Sequence, residues 1–185
     1  MKHKFLKSVA GLAMFASAFA FAQTPYPTKP ITMIVPFAAG GPTDTVARLV
    51  AQSMGNTLKQ TVLVENVGGA GGTIGAARVA KSAPDGYTLF LHHIGQSTAP
   101  SLYRKLSYNA VDDFEPIGLI TDVPMTFIAR GDFPAKDLKE LLAYVKANKS
   151  KVTYANAGVG SASHLCGMLF MTAIDTELTL SLIHI

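Results

Sequence analysis

The sequence repeats one local pattern: a short apolar run, a loop of small residues, then an amphipathic segment. Ile31 to Val35 breaks at Pro36, opens through Ala38-Ala39-Gly40-Gly41 and restarts near Thr43-Asp44. Thr61 to Glu65 leads into Gly68-Gly69-Ala70-Gly71-Gly72 and then an Ala-rich stretch, Ile74 to Lys81. Val152 to Tyr154 leads into Ala155-Asn156-Ala157-Gly158-Val159-Gly160 and a helical stretch from Ala162 to Thr172. Short apolar runs bounded by turn signals suit buried strands, and Val46, Leu49, Val50 and Met54 fall on one face of a helix over Thr43 to Met54. Strands that alternate with helices are joined by crossovers, not hairpins, which specifies an α/β chain with largely parallel sheets.

The remaining punctuation fits that class. Pro84-Asp85-Gly86 is a turn signal before a strand over Tyr87 to Leu91, and Ser97 to Tyr103 reads as a short helix. Ile117 to Ile120 and Thr126 to Ala129 read as strands. Lys136 to Lys146 reads as a helix with Leu138, Leu141, Leu142 and Val145 at helical spacing. The break at Asp122-Val123-Pro124 marks a domain crossing, giving a first α/β domain over residues 23–122 and a second over 123–179.

Residues 1–22 stand apart from the fold. Lys2, His3, Lys4 and Lys7 form a basic head, Val9 to Phe21 an apolar run, and Ala20-Phe21-Ala22 a small-residue cleavage site. This is the pattern of a secretory signal peptide cleaved after Ala22, and the run is too short to span a bilayer. No Cys follows the site to carry a lipid. Of the sixteen Lys and Arg, three lie in that head, leaving thirteen against twelve carboxylates. The basic balance is therefore a targeting feature, and a nucleic-acid partner has no electrostatic support. Cys166 stands alone, so no internal disulfide braces an exported chain.

The motifs for nucleotide and metal chemistry fail on spacing. A dinucleotide fingerprint starting at Gly69 needs glycine at 74, where Ile stands, and no Gly-Lys-Ser/Thr closes a phosphate loop. The glycines then serve a tight turn and close helix–sheet packing, with a supporting place beside a ligand left open. His92-His93 at a strand end would point to opposite faces and could not chelate one ion together. With no His or Cys cluster and no acidic box, no metal and no cofactor is expected. Gly158-Val159-Gly160-Ser161-Ala162 is not a nucleophile elbow, because position 160 is glycine. Ser161 reads as a helix cap; the alternative is an exported α/β hydrolase-like enzyme using Ser161 and His164.

Two loops remain, Pro36 to Asp44 and Ala155 to His164. Each follows a strand and precedes a helix, the place where open α/β folds bind ligands. Each is rich in Gly and Ala, so backbone N–H groups are expected to lie uncovered beside a helix start, an anion site without Arg or Lys. Asp44 would repel an anion if it faced inward, so it reads first as a cap or a loop-orienting group. Thr43, Asn156, Ser161 and His164 are neutral or nearly so and can hydrogen-bond an acid.

These segments are also similar to a known family. "YPTKPITMIVPFAAGGPTDTVARLVA", "VENVGGAGGTIGAARVAKSAPDGYTL", "LYRKLSYNAVDDFEPIGLI" and "VTYANAGVGSASHLCGMLF" resemble, in that order, the Bug-type extracytoplasmic receptors of tripartite tricarboxylate transporters. The likeness runs from Tyr26 to about Thr179. It implies a two-domain periplasmic-binding-protein clamshell, incomplete in this chain, that holds a small carboxylate largely by backbone amides and ordered water. It further implies a periplasmic location, membrane permease subunits as partners, and no enzymatic activity. On the matching positions the ligand-binding candidates are Phe37, Ala39, Gly40, Gly41, Thr43, Asp44, Gly95, Ser97, Asn156, Gly160, Ser161 and His164; the stretch from Ile94 to Thr98 enters through the resemblance alone. The chain departs from the family pattern at its end, where residues 180–185 (LSLIHI) back-translate to a transposon end used in sequencing libraries and are expected to be translated adapter.

Overall fold

A computed structural model describes residues 25–182. The expected signal peptide, residues 1–22, lies outside the described residues, as do positions 183–185 of the tail. Strand β1, Ile31–Val35, is the centre of a three-stranded sheet, and Ile31, Met33, Ile34 and Val35 are all buried. Strands β2 (Val62–Asn66) and β3 (Thr88–Phe90) flank it in the order β2-β1-β3, both parallel. Val35 pairs with Asn66, and Met33 with both Val64 and Leu89. Parallel neighbours require crossovers. Helix α1 (Pro42–Leu58) supplies the first, and α2 (Thr73–Ala80), entered through a single 3-10 turn over Ala70–Gly72, supplies the second.

The core of this sheet is Met33, Val35, Ala47 and Leu91, with Phe37, Val46, Val50 and Met54 packed against it. Leu49, expected on the same stripe, is 64% exposed, and Ala47 and Ala51 are buried instead. Alanine lets the helix approach the strands closely, so the contact line turns away from Leu49.

Helix α3 (Gly95–Leu102) follows β3, and no helix or strand then forms until α4 (Leu138–Ala147). The strands expected at Ile117 to Ile120 and Thr126 to Ala129 are not formed: Ile117, Leu119 and Ile128 are exposed, the last at 94%. A strand exists only as part of a ladder, and among the described residues no neighbouring strand offers these segments its backbone groups. A second parallel pair follows, β4 (Thr153–Asn156) with β5 (Thr179–Leu182), bridged by α5 (Ala162–Ala173). Residues 180–182, read from the sequence as adapter, therefore continue a strand. Parallel pairing is a property of the backbone, which a foreign tail and a native one share. Among the described residues no helix is long and apolar enough to cross a membrane.

Candidate functional site

The carboxyl ends of β1 and β4 carry the two loops that the sequence singles out. In the first, Asp44 is 2% exposed and its Oδ2 accepts from the Gly40 amide at 2.8 Å and from Arg48 Nε at 2.9 Å. Its Oδ1 accepts from Asn66 Nδ2 at 2.9 Å, and the same amide nitrogen donates to the Phe37 carbonyl at 3.0 Å. The Arg48 hydrogen bond, then the Gly40 amide, hold the Asp44 carboxyl down to about 2 against the cost of its burial. Asp44 thus orients the loop from beneath, as one of its two sequence readings has it. Gly40 sits at φ +79 with open space where a Cβ would be, so the left-handed turn itself demands glycine.

This network alters one expectation. The amides of Gly40 and Gly41 are not uncovered: the first is held by Asp44 and the second donates to the Ala38 carbonyl at 3.3 Å. A loop must satisfy its own polar groups, and here it does so with its own glycines. In the first turn of α1 the Asp44 and Thr43 N–H groups have no partner among the described residues, and of the two residues only Thr43 borders the cavity between the loops. Helix starts always leave such donors, and Pro42 before it has none to offer.

The second loop follows the same logic. Ser161 Oγ accepts from the His164 amide at 3.2 Å, the cap expected from the sequence. Ser163 Oγ holds the Ala157 amide at 3.0 Å, and Asn156 Oδ1 holds the Gly158 amide at 2.9 Å. Asn156 Nδ2 donates across the sheet to the Ser181 carbonyl, and His164 Nδ1 accepts from the Gly160 amide at 3.4 Å. The Ala162 and Ser163 amides have no partner among the described residues. The hydrolase alternative fails on this geometry. The Ser161 hydroxyl lies 3.1 Å from Ser163 Oγ, while the His164 ring nitrogen serves Gly160, so no serine–histidine dyad forms.

His92 and His93 depart from their expected placement. Their rings lie 4.9 Å apart edge to face, and both meet Phe37, His93 stacking on it at 4.4 Å. Strand β3 ends at Phe90, so the two-residue alternation that would have separated them has already lapsed. Nδ1 of each accepts a backbone amide, from His93 and Gly95 respectively, which leaves the proton on Nε2. Burial pushes His92 down to about 3, with His93 beside it adding to the effect, and burial also lowers His93. Both rings are neutral at pH 7 and act as aromatic floor.

Both loops open on one cavity of about 1570 Å³. Of the candidates, Phe37, Gly41, Thr43, Ser97 and Ser161 line it. Ala39, Gly40, Asp44, Gly95, Asn156, Gly160 and His164 lie outside the lining, and most of them brace the loops. The sequence reading missed His92 and His93, the Ala162 and Ser163 amides and Tyr103, which also line it, as does the Gly68 to Gly72 run. No Lys or Arg lines the cavity. Among the described residues, no group of three His, Cys, Asp or Glu is placed to hold a metal ion.

Parallel sheets whose strand ends and helix starts face a shared cavity define an α/β fold of the periplasmic-binding-protein class. The sequence profile described as tripartite tricarboxylate transporter family receptor (TctC) matches residues 46–185, and the chain belongs to that family. It is 56% identical over 159 residues to the UPF0065 protein in the TAR-I ttuE-ttuC' intergenic region of Agrobacterium vitis, covering 86% of this chain and 46% of that protein. It is 39% identical to Protein BugT of Bordetella pertussis, covering 88% and 49%. Among solved structures it is similar to the periplasmic binding protein BugD, at 59% identity and TM-score 0.81, covering 84% of this chain and 52% of that one. It is likewise similar to MatC from Rhodopseudomonas palustris with bound malate, at 43% identity and TM-score 0.80, covering 85% and 54%. The chain spans about half the length of the relatives it matches.

Proposed function

We propose that this chain forms one jaw and the base of the second in a receptor that captures a small organic carboxylate in the periplasm and delivers it to membrane permease subunits, without chemical turnover. The observation that carries this reading is the set of unpartnered amides of Thr43, Ala162 and Ser163. They lie at two helix starts, on two sides of one cavity lined by no cation. Such N–H groups and helix ends favour an anion. Charge-assisted hydrogen bonds are the strong ones, about twice a neutral pair. The malate in the MatC structure supports the ligand class. Phe37, Gly41, Thr43, Ser97 and Ser161 are assigned to ligand contact, and Asp44, Asn156 and His164 to holding the loops that make it. The two jaws correspond to domains over residues 23–122 and 123–179, and residues 1–22 to the export signal.

The test is calorimetric titration of the protein carrying this sequence with malate and adipate, each beside its dimethyl ester. One-to-one binding of an acid, with the ester unbound and unhydrolysed, is the expected result. Ester hydrolysis, or no binding of either acid, would reject the reading. Gly41→Val, whose Cβ would press on the Ala38 carbonyl at 3.3 Å in the loop that borders the cavity, should weaken binding of the acid, with far-ultraviolet dichroism checking that the fold is kept.

A further inference from the structure

The glycine run between β2 and α2 has no ligand chemistry of its own, yet its middle residue touches the opposite loop. Gly71 lies at φ +62 directly under the Val159 carbonyl, and a Cβ built on it would collide with that oxygen and fall 2.8 Å from the Tyr103 hydroxyl. Tyr103, at the end of α3, donates through that hydroxyl to the same Val159 carbonyl at 2.7 Å. One residue further, a Cβ on Gly95 would stand 2.7 Å from the Gly160 carbonyl. Gly158 in turn faces the Gly71 backbone, with its own Cβ position 3.5 Å from the Gly71 nitrogen. Three separate points on the first sheet's side therefore meet one short stretch of the second loop, residues 158–160: Gly71 and Gly95 through their backbone and Tyr103 through its hydroxyl.

We infer that Gly71, Gly95 and Tyr103 form a closing seam against the Val159 and Gly160 carbonyls, and that this seam sets how much of the protein stands in the closed, ligand-competent form. The inference rests on the two-jaw reading of the site. A side chain at position 71 would prop the jaws apart, because what it meets is backbone and cannot swing away. Tyr103 supplies the attractive part. Its hydroxyl satisfies a carbonyl that α5, which starts three residues later, leaves without a helical partner. Both are positioning residues: they act on the ligand through the distance between jaws. A ligand that binds only the closed form has its apparent affinity reduced by the fraction of protein that is open. Losing one hydrogen bond at the seam should therefore lower the closed-to-open ratio about three- to tenfold.

The test measures the jaws directly. Spin labels at Lys81→Cys and Lys146→Cys, in a Cys166→Ser background, report the distance between the two halves of the protein carrying this sequence by pulsed resonance, with and without malate. The short distance expected of the parent should vanish in Gly71→Ala and lose population about three- to tenfold in Tyr103→Phe, with far-ultraviolet dichroism unchanged. Tyr103→Phe, which removes one oxygen, keeps the test intact if Gly71→Ala does not fold. Distance distributions in both variants equal to the parent's, or a parent that never shows the short distance, would overturn the seam. If neither malate nor adipate binds the parent and Gly71→Ala still widens the distance, the seam stands and the carboxylate reading falls.

Discussion

Asn66 and Asp44 stand 22 positions apart in the chain and meet at 2.9 Å, and the same Asn66 nitrogen reaches the Phe37 carbonyl at 3.0 Å. One side chain at the end of β2 thus fastens both ends of the loop that follows β1. Its position is set by strand pairing, since Asn66 is the register partner of Val35, the last residue of β1. Sheet geometry, loop shape and the presentation of the α1 amides are in this way a single construction. Asn66→Ala leaves a nearly buried carboxylate and a carbonyl each short of one donor. The expected cost is about 1–3 kcal/mol of unfolding free energy, read from chemical denaturation, together with weaker acid binding. Full stability in that variant would show that the loop holds its shape without β2.

Acid should destabilise the protein in two stages with distinguishable owners. His92 is held neutral by burial, titrating at about 3 when folded against 6.5 when free. Its contribution is complete above about pH 6.5, and it is lost progressively as the pH falls toward 3, because the unfolded chain takes up the proton first. The slope from one such group is about 1.4 kcal/mol per pH unit at most. Asp44, held down to about 2 from 3.8, contributes above about pH 4, and that part is lost between about pH 4 and 2. Denaturation midpoints measured from pH 7 to 4 should fall in the parent and fall less steeply in His92→Gln, with His93, also lowered by burial, carrying part of the remaining slope. An unchanged slope in that variant would place the acid sensitivity elsewhere.

Ser161→Ala separates a cap from a nucleophile. The Ser161 hydroxyl is 1% exposed and receives the His164 amide at the start of α5. Removing it should cost about 1 kcal/mol, the usual worth of such a cap, and loosen the loop that carries the Ala162 and Ser163 amides. The unfolding midpoint and acid affinity should fall together. A variant with parent stability would contradict the capping role.

The parts of this structure that sequence made legible are those governed by local pattern. The run Ile31 to Val35, the helix after Gly41, the helix over Lys136 to Lys146 and the Ser161 cap all follow from residue type at near spacing, and the parallel pairing follows from their alternation. What stayed hidden depends on partners distant in the chain. Nothing near Gly40 says that its amide is consumed by Asp44, because that carboxylate is fixed partly by Asn66 from another strand. Ile117 to Ile120 carries a strand composition, yet a strand needs an edge to join. His92 and His93 both meet Phe37, one edge to face and one stacked, because β3 ends at Phe90, one residue short of the strand that the apolar pattern suggests.

Gly167 reverses the usual rule for glycine in a helix. At an exposed interior position, replacement by Ala gains roughly 1 kcal/mol from propensity. In α5, Gly167 is buried, and a Cβ there would run into the Tyr154 ring. That ring has little freedom to retreat, since the Tyr154 hydroxyl donates to the Ser163 carbonyl at 2.8 Å and Phe127 lies 6.1 Å from it. The missing side chain is what lets α5 lie flat on β4 and bring its first turn, with the Ala162 and Ser163 amides, to the cavity. Gly167→Ala should therefore destabilise the protein by about 1–3 kcal/mol, the range for an overpacked core. Gly167→Ala combined with Tyr154→Leu, which removes the ring, should recover part of that loss. Paired thermal melts of the two variants decide it: a single variant more stable than the parent would mean that α5 and β4 do not pack through this glycine.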